Sequence, residues 1–194
     1  STTAFVIIMA SGIIVYFVSG ARLTFIASIM AVGIVGLMLL VYLTPYRFER
    51  ISAFLNQNDN AQSTNYQLNR SLTSIGSGGV WGIGFGESIS KYKFLPEPIG
   101  DSIFAVIAEE LGFAGALVVM VLFMGLCVSG LRIAKRSTDQ FAKLTVVGFI
   151  SVISIQAFIH IAAISGIAPL TGIPLPFISY GGTSLAIFLT MSGI

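Results

Sequence analysis

From Leu144 to Ile194 the chain runs for 51 residues without an Asp, Glu, Lys or Arg. A water-soluble domain carries a charge at about one residue in four, so a run of that length has to be solvated by something other than water. The whole chain bears this out: charged residues make up 9% of 194 positions and apolar ones 55%. Lipid is the solvent that suits such a chain, and the expected class is an all-α polytopic membrane protein. A net charge of +2 recruits no nucleic acid, and the lone Cys127 closes no internal disulfide.

Charge-free stretches place the spans, because about 20 apolar residues cross a bilayer core as a helix. About four complete crossings are expected, plus a truncated fifth. The first two, Ala4 to Val18 and Phe25 to Leu43, are separated by the short turn Ser19 to Arg22 and so form an antiparallel pair. A third runs from Ser102 to Leu131, a fourth from Leu144 to Ile164, and a last helix starts near Ser184. Basic residues of short loops favour the cytoplasm, and Arg132, Lys135, Arg136 and Lys143 stand against Asp139 alone. The Arg132 to Lys143 loop is therefore expected inside, with Thr44 to Asp101 and Ser165 to Thr183 outside. Ser1 would then begin outside the cell with no preceding helix, and the last helix would stop at about half the length it needs. Residues 1–194 are expected to form a single, partial membrane domain, an internal fragment lacking N-terminal helices and the end of the last one.

The outer loop has 58 residues, too long for a plain connection. Tyr46 to Leu55 and Tyr66 to Ile75 read as amphipathic helices, the second with Leu68, Leu72 and Ile75 on one face, and Asn56 to Asn65 reads as a polar loop between them. Gly76, Gly78, Gly79, Gly82, Gly84 and Gly86 follow. No strand precedes them and no Gly-Lys-Ser/Thr ends them, which favours close backbone packing over a phosphate loop. Ser165 to Thr183 holds Pro169, Pro174 and Pro176 and no charge, so it is neither a continuous helix nor a hydrated loop. A re-entrant or cavity-lining segment is the expectation, with a tight apolar loop as the alternative.

Five carboxylates gather near the outer mouth of the third helix: Glu87, Glu97, Asp101, Glu109 and Glu110. That helix is about 45 Å long, against a hydrocarbon core of roughly 30 Å, so its first turns must project or tilt. Asp101 stands just before the apolar run, where Asp is a favoured N-cap, and a cap and a catalytic base are both open readings. Gln156 and His160 share a face of the fourth helix, either as functional polar groups or as partners in an interhelical hydrogen bond. Trp81 and Tyr180 read as interfacial aromatics or a sugar platform.

Several of these segments, in this order, resemble the SEDS family (shape, elongation, division and sporulation). They are Gly76-Ser77-Gly78-Gly79, Phe94-Leu95-Pro96-Glu97, Asp101-Ser102-Ile103-Phe104 through Glu109-Glu110-Leu111-Gly112, and Pro174-Leu175-Pro176-Phe177-Ile178-Ser179-Tyr180-Gly181-Gly182. The resemblance covers essentially the whole chain. Tyr66-Gln67 and Gly86-Glu87-Ser88-Ile89-Ser90-Lys91 look closer to the division branch, FtsW, than to the elongation branch, RodA.

The resemblance implies a ten-helix protein of the bacterial cytoplasmic (inner) membrane, a glycosyltransferase that polymerises lipid II into glycan strands at the outer face. Implied partners are a class B penicillin-binding protein and other membrane proteins of the division machinery, besides membrane lipid. Asp101 matches the family's essential acid and would be the catalytic base. Lys91, then Arg70, would offset the leaving pyrophosphate, with a divalent cation, Mg or Mn, as a further candidate and its ligands unknown. Glu97, Ser179 and Tyr180 complete the implied substrate-binding set. The chain departs from the family at Ile99-Gly100, where His-Thr is common, and at His160, where Asn is common. Rival readings are a transporter that flips lipid-linked sugars and a non-catalytic division scaffold. The 194 residues alone are expected to be inactive.

Overall fold

A computed structural model of the chain describes residues 2–20, 22–42, 63–88 and 102–193. Among these the regular structure is entirely helical: α1 (Thr2–Val18), α2 (Leu23–Tyr42), α3 (Ser63–Gly78), α4 (Ile103–Arg136), α5 (Gln140–Ile164) and α6 (Gly182–Gly193). α4 and α5 are each long and apolar enough to cross a membrane. With α1 and α2 almost wholly apolar as well, the protein is an all-helical membrane protein. α5 is the hub, with α1, α4 and α6 packed on it, while α3 lies against α4 and α2 against α1. The core gathers Phe104, Ala105, Ile153, Ala157, Leu170 and Leu175, from α4, α5 and the segment that follows α5.

A helix stands at every expected span within the described residues, with boundaries moved by a few residues. α3 begins at Ser63, so the polar loop expected to run to Asn65 ends earlier. The expected helix Tyr46 to Leu55 lies outside the described residues. α6 begins at Gly182, two residues before the expected start.

The basic loop is the largest revision. α4 continues to Arg136 and α5 starts at Gln140, so the connection is only residues 137–139. Asp139 ends it as an N-cap, its carboxylate accepting from the N–H groups of Phe141 (3.3 Å) and Ala142 (3.1 Å). Lys135 and Arg136 therefore sit in the last turn of α4, where the helix dipole favours positive charge. The four basic residues still cluster at one end of the bundle.

α4 is not one rod. Gly112 has φ 70° and ψ −168°, which interrupts the helix after its first nine residues. Before the break, Phe104, Ala105, Ala108, Glu109 and Glu110 are buried. After it, Phe113, Leu117, Val118, Val121 and Leu122 form an exposed apolar stripe. Phe113 to Leu131 spans about 28 Å at 1.5 Å per residue, close to one hydrocarbon core, so the excess length of the helix is taken up on the far side of the break.

Candidate active site

The break in α4 sets up the end of the bundle opposite the basic cluster. In an unbroken helix Phe113 and Ala114 would donate to the carbonyls of Glu109 and Glu110. Here the glycine-rich segment takes both sides of that exchange. Phe113 N–H donates to Gly79 O (2.9 Å) and Ala114 N–H to Val80 O (3.2 Å), while Ile83 and Gly84 N–H donate to Glu109 O and Glu110 O (3.1 Å each). Four backbone groups released by the break are thus met by residues 79–84, which form a wedge. The approach is so close that a Cβ on Gly78 would strike the backbone of Ala108, and one on Gly82 that of Glu110 and Gly112. The glycine series is a packing device, as its sequence context favours.

The same approach decides which face of α3 is buried. Leu68 is buried and Ile75 packs against the core, but Leu72, expected with them, is 38% exposed. Ser71 and Ser74 take the buried positions instead. Small side chains are what let α3 come near enough for Gly78 to meet the α4 backbone.

The structure brings only part of the expected carboxylate group together. Glu109 and Glu110 are both buried, at 3% and 7% exposure, and Glu87 is exposed. Ser88, itself fully buried, donates its hydroxyl to Glu109 Oε2 at 2.7 Å. Glu110 Oε1 has no hydrogen-bond partner among the described residues. Asp101, Glu97 and Lys91 lie outside the described residues. The N-cap position of α4 is held by Ser102, which makes no side-chain cap bond; Gln67 Nε2 of α3 donates to its hydroxyl at 3.4 Å. Gln67 thus ties α3 to the residue directly after Asp101. Arg70, one turn along α3, lies with its guanidinium carbon 5.1 Å from the centroid of the Tyr66 ring.

Residues 165–181, after α5, form the expected irregular segment, and its middle is covered by protein, with Leu170, Ile173, Leu175 and Pro176 buried. Prolines at 174 and 176 deny it a regular hydrogen-bond pattern, so its carbonyls need other donors. α5 provides them. Gln156 Nε2 donates to Pro174 O (2.9 Å) and His160 Nδ1 bonds Ile173 O (2.6 Å). The two side chains reach the same segment from one face of α5, and their hydrogen-bond partner is this irregular segment rather than another helix. A carbonyl only accepts, so His160 Nδ1 carries a proton.

Ser179 is buried and its Oγ accepts from Leu175 N–H (2.7 Å), closing a turn that leaves the neighbouring Tyr180 84% exposed. Between them and the prolines, Phe177 has φ 64°, unusual for a bulky residue, and its ring meets Phe188 of α6 at 5.7 Å.

The His160 bond explains how this chain accommodates its departure from Asn. Asn Nδ2 hangs from Cγ as His Nδ1 does, so either residue presents a donor at the same place. His160→Asn is expected to hold the Tm of the purified full-length protein within a few degrees. His160→Leu, which strands the buried carbonyl, is expected to cost about 1–3 kcal/mol. Equal melting of the two variants would contradict this.

Sequence reasoning missed Ser88, Ser102 and the partner of Gln67. Ser88 lies inside one of the quoted motifs, but nothing in its spacing points to Glu109. Two apolar grooves of about 400 Å³ and 390 Å³, one between α1 and α2 and one where α4, α5 and α6 meet, are distant in character from this polar end. Among the described residues no three His, Cys, Asp or Glu side chains stand together as a metal-ligand group.

The family model described as a cell cycle protein, FtsW/RodA/SpoVE, matches residues 1–194. Stage V sporulation protein E of Bacillus subtilis (strain 168) is 40% identical over 188 residues, covering 97% of this chain and 51% of that protein. The probable peptidoglycan glycosyltransferase FtsW of the same organism is 45% identical over 152 residues, 78% of this chain and 38% of that protein. Its counterpart in Legionella pneumophila is 40% identical over 187 residues, 95% and 48% of the two chains. The chain spans about half the length of the curated relatives it matches. Among solved structures, a chain described under the structural coordination of polymerization and crosslinking by a peptidoglycan synthase complex superposes with a TM-score of 0.73. It is 26% identical and is covered over 52% of its length, against 97% of this chain.

Proposed function

The chain belongs to the FtsW/RodA/SpoVE family of cell cycle proteins, and from that premise we propose that the full-length protein is a peptidoglycan glycosyltransferase that polymerises lipid II at the outer face of the cytoplasmic membrane. One observation carries the reading. At the end of the bundle opposite the basic cluster, Gln67 and the glycine wedge fix the start of α4, and Asp101 is covalently next to that fixed residue, Ser102.

The reaction joins a GlcNAc 4-hydroxyl to the anomeric carbon of a sugar linked to lipid pyrophosphate. Asp101 would take the proton of the attacking hydroxyl as the new glycosidic bond forms and the pyrophosphate leaves. Lys91 and Arg70 would offset the charge that develops on the departing phosphates. Glu97 would assist in the same loop. Ser179, through its turn, would hold Tyr180 out as a surface for sugar. A divalent cation, magnesium or manganese, is proposed as additional counter-charge, and no step here is routed through it. Division is the proposed setting, with a class B penicillin-binding protein and other membrane proteins of the division machinery as partners. The proposed placement is multi-pass, in the bacterial inner membrane.

Reconstituted full-length protein with its partner is expected to convert lipid II into glycan strands. In that assay Lys91→Ala should reduce the rate more than Lys91→Arg, because arginine keeps the positive charge; equal rates for both variants and wild type would remove Lys91 from the site. No polymer from any preparation, together with normal recruitment of division proteins, would favour a scaffold. Transfer of intact lipid II across vesicles would favour a transporter.

The topology is tested separately. A single cysteine at Ser137 is expected to react with an impermeant reagent only from the cytoplasmic side, and one at Asn58 only from outside. Reaction of both from one side would overturn the placement of the site.

A further inference from the structure

Among the described residues the positive φ angles belong to eight glycines and one other residue, Phe177 at 64°. That region of backbone space is open to glycine and costs free energy for any residue with a Cβ. The same segment meets the need with glycine at residues 166 and 172. At 177 the chain bears the cost and carries a ring, and strain held in this way points to a contribution that glycine lacks.

The contribution lies in what the ring touches. Its centroid is 5.7 Å from that of Phe188, with the planes tilted by 53°, a favourable aromatic geometry. Phe188 is buried and stands six residues into α6, counted from Gly182. From Phe177 the chain runs through Ile178, Ser179, Tyr180 and Gly181 into α6, so the ring pair closes that path into a loop. One flank of the loop is a tight turn. The N–H groups of Ile178 and Ser179 donate to Leu175 O at 3.3 and 3.0 Å, and Ser179 Oγ accepts from Leu175 N–H. The other flank is the first turn of α6, where Leu185 N–H donates to Gly181 O at 2.9 Å. Tyr180 lies between the two. Without the ring pair the flanks are joined only through its backbone and are free to pivot about it. Leu175 and Phe188 belong to the core that also holds Leu68 of α3 and Phe104 of α4, and Phe177 packs against that core. The loop is therefore set against the same end of α4 that Gln67 and the wedge fix.

We propose that Phe177 is a positioning residue for saccharide binding: its left-handed backbone and its contact with Phe188 hold Tyr180 in one place relative to the start of α4, where Tyr180 receives a sugar of the lipid-linked substrate. The identity of the ligand rests on the glycosyltransferase reading; the fixing of Tyr180 does not.

Two measurements on the full-length protein keep these apart. The first needs no activity. A spin label on Tyr180→Cys, with Cys127→Ser and any other native cysteines replaced, is expected to give the broad spectrum of an immobilised side chain. Phe177→Gly, which suits the backbone angle and deletes the ring, is expected to sharpen it. Phe188→Leu should sharpen it too, whereas Phe188→Tyr, which keeps a ring in place, should leave it broad. The same mobility in all four backgrounds would overturn the inference. The second measurement is lipid II polymerisation with the partner present. Phe177→Gly is expected to raise KM for lipid II by roughly 2- to 10-fold, the span that one aromatic pair covers, with kcat nearly kept. It should add nothing in a Tyr180→Ala background. A fall in kcat alone, or an undiminished effect without Tyr180, would refute the positioning role. Should Phe177→Gly fail to accumulate, Phe188→Leu carries both measurements, since it leaves the turn untouched. An absence of polymer from wild type would sink the glycosyltransferase reading and the sugar with it, while the spectra still decide whether Phe177 holds Tyr180.

Discussion

Asp101→Asn in the full-length protein, assayed with its partner, is expected to lower lipid II polymerisation by a factor on the order of 10² to 10⁴, the range for removing a general base. The substitution separates base from cap. Asparagine caps a helix about as well as aspartate, so a lost cap would leave little trace. The structure narrows the cap reading further, since the N-cap position of α4 belongs to Ser102. Asn cannot accept the proton of the attacking hydroxyl. Glu97→Gln is expected to cost less, because Glu97 is assigned an assisting part. Membrane expression and melting temperature of the Asn variant should match wild type. Wild-type polymerisation by Asp101→Asn would refute its role and send the search for the base to Glu97, Glu109 and Glu110.

Gly82→Ala is expected to disrupt folding severely. Gly82 has φ 81°, which costs an L-residue about 1–2 kcal/mol. The added carbon would also sit 2.7 Å from Gly112 N and closer to the Glu110 carbonyl. Backbone cannot swing aside as a side chain can. Relieving the contact means withdrawing the wedge, which strands the N–H groups of Phe113 and Ala114 and the carbonyls of Glu109 and Glu110. At about 1–3 kcal/mol for each unmet group, the loss is comparable with the whole stability of a typical domain. The variant should fail to give a monodisperse peak after detergent extraction. Gly125→Ala, in α4 with nothing near its Cβ position, should be neutral or slightly stabilising. Equal behaviour of the two variants would mean that the wedge does not hold the break.

What the sequence discloses and what it conceals divide along sequence distance. Spans were legible because absence of charge over about 20 residues is a local property, and so was the irregular character of residues 165–181, written in its prolines. Gln156 and His160 could be paired by their spacing of four, yet their acceptors, Pro174 and Ile173, lie in a segment with no helical register to count along. The break at Gly112 was hidden for the same reason. A glycine within Glu-Leu-Gly-Phe looks like an ordinary helix glycine until residues 79–84, some 30 positions earlier, are placed beside it. On α3, periodicity nominated Leu72 for burial, and close approach to α4 gave the place to Ser71 and Ser74. The basic loop was misjudged in extent because Arg and Lys continue a helix readily, although Asp139 carried the signal for its true end. Of the candidate site, residue types and chain order were readable. The Ser88–Glu109 bond and the Gln67–Ser102 bond were not, since each joins residues that share no pattern.

The wedge also bears on how the chain is made. Residues 79–84 leave the ribosome before residues 109–114, so the glycine segment is already synthesised when the interrupted part of α4 arrives at the membrane. The four backbone groups exposed by the break then find their partners waiting, and α4 need not enter lipid with a gap in its hydrogen bonding. Reversing that order, for example by a circular permutation that moves residues 63–88 behind α6, would ask the insertion machinery to hold an incomplete helix until the rest of the protein was translated. The linear arrangement of the gene is in this sense part of the folding instruction.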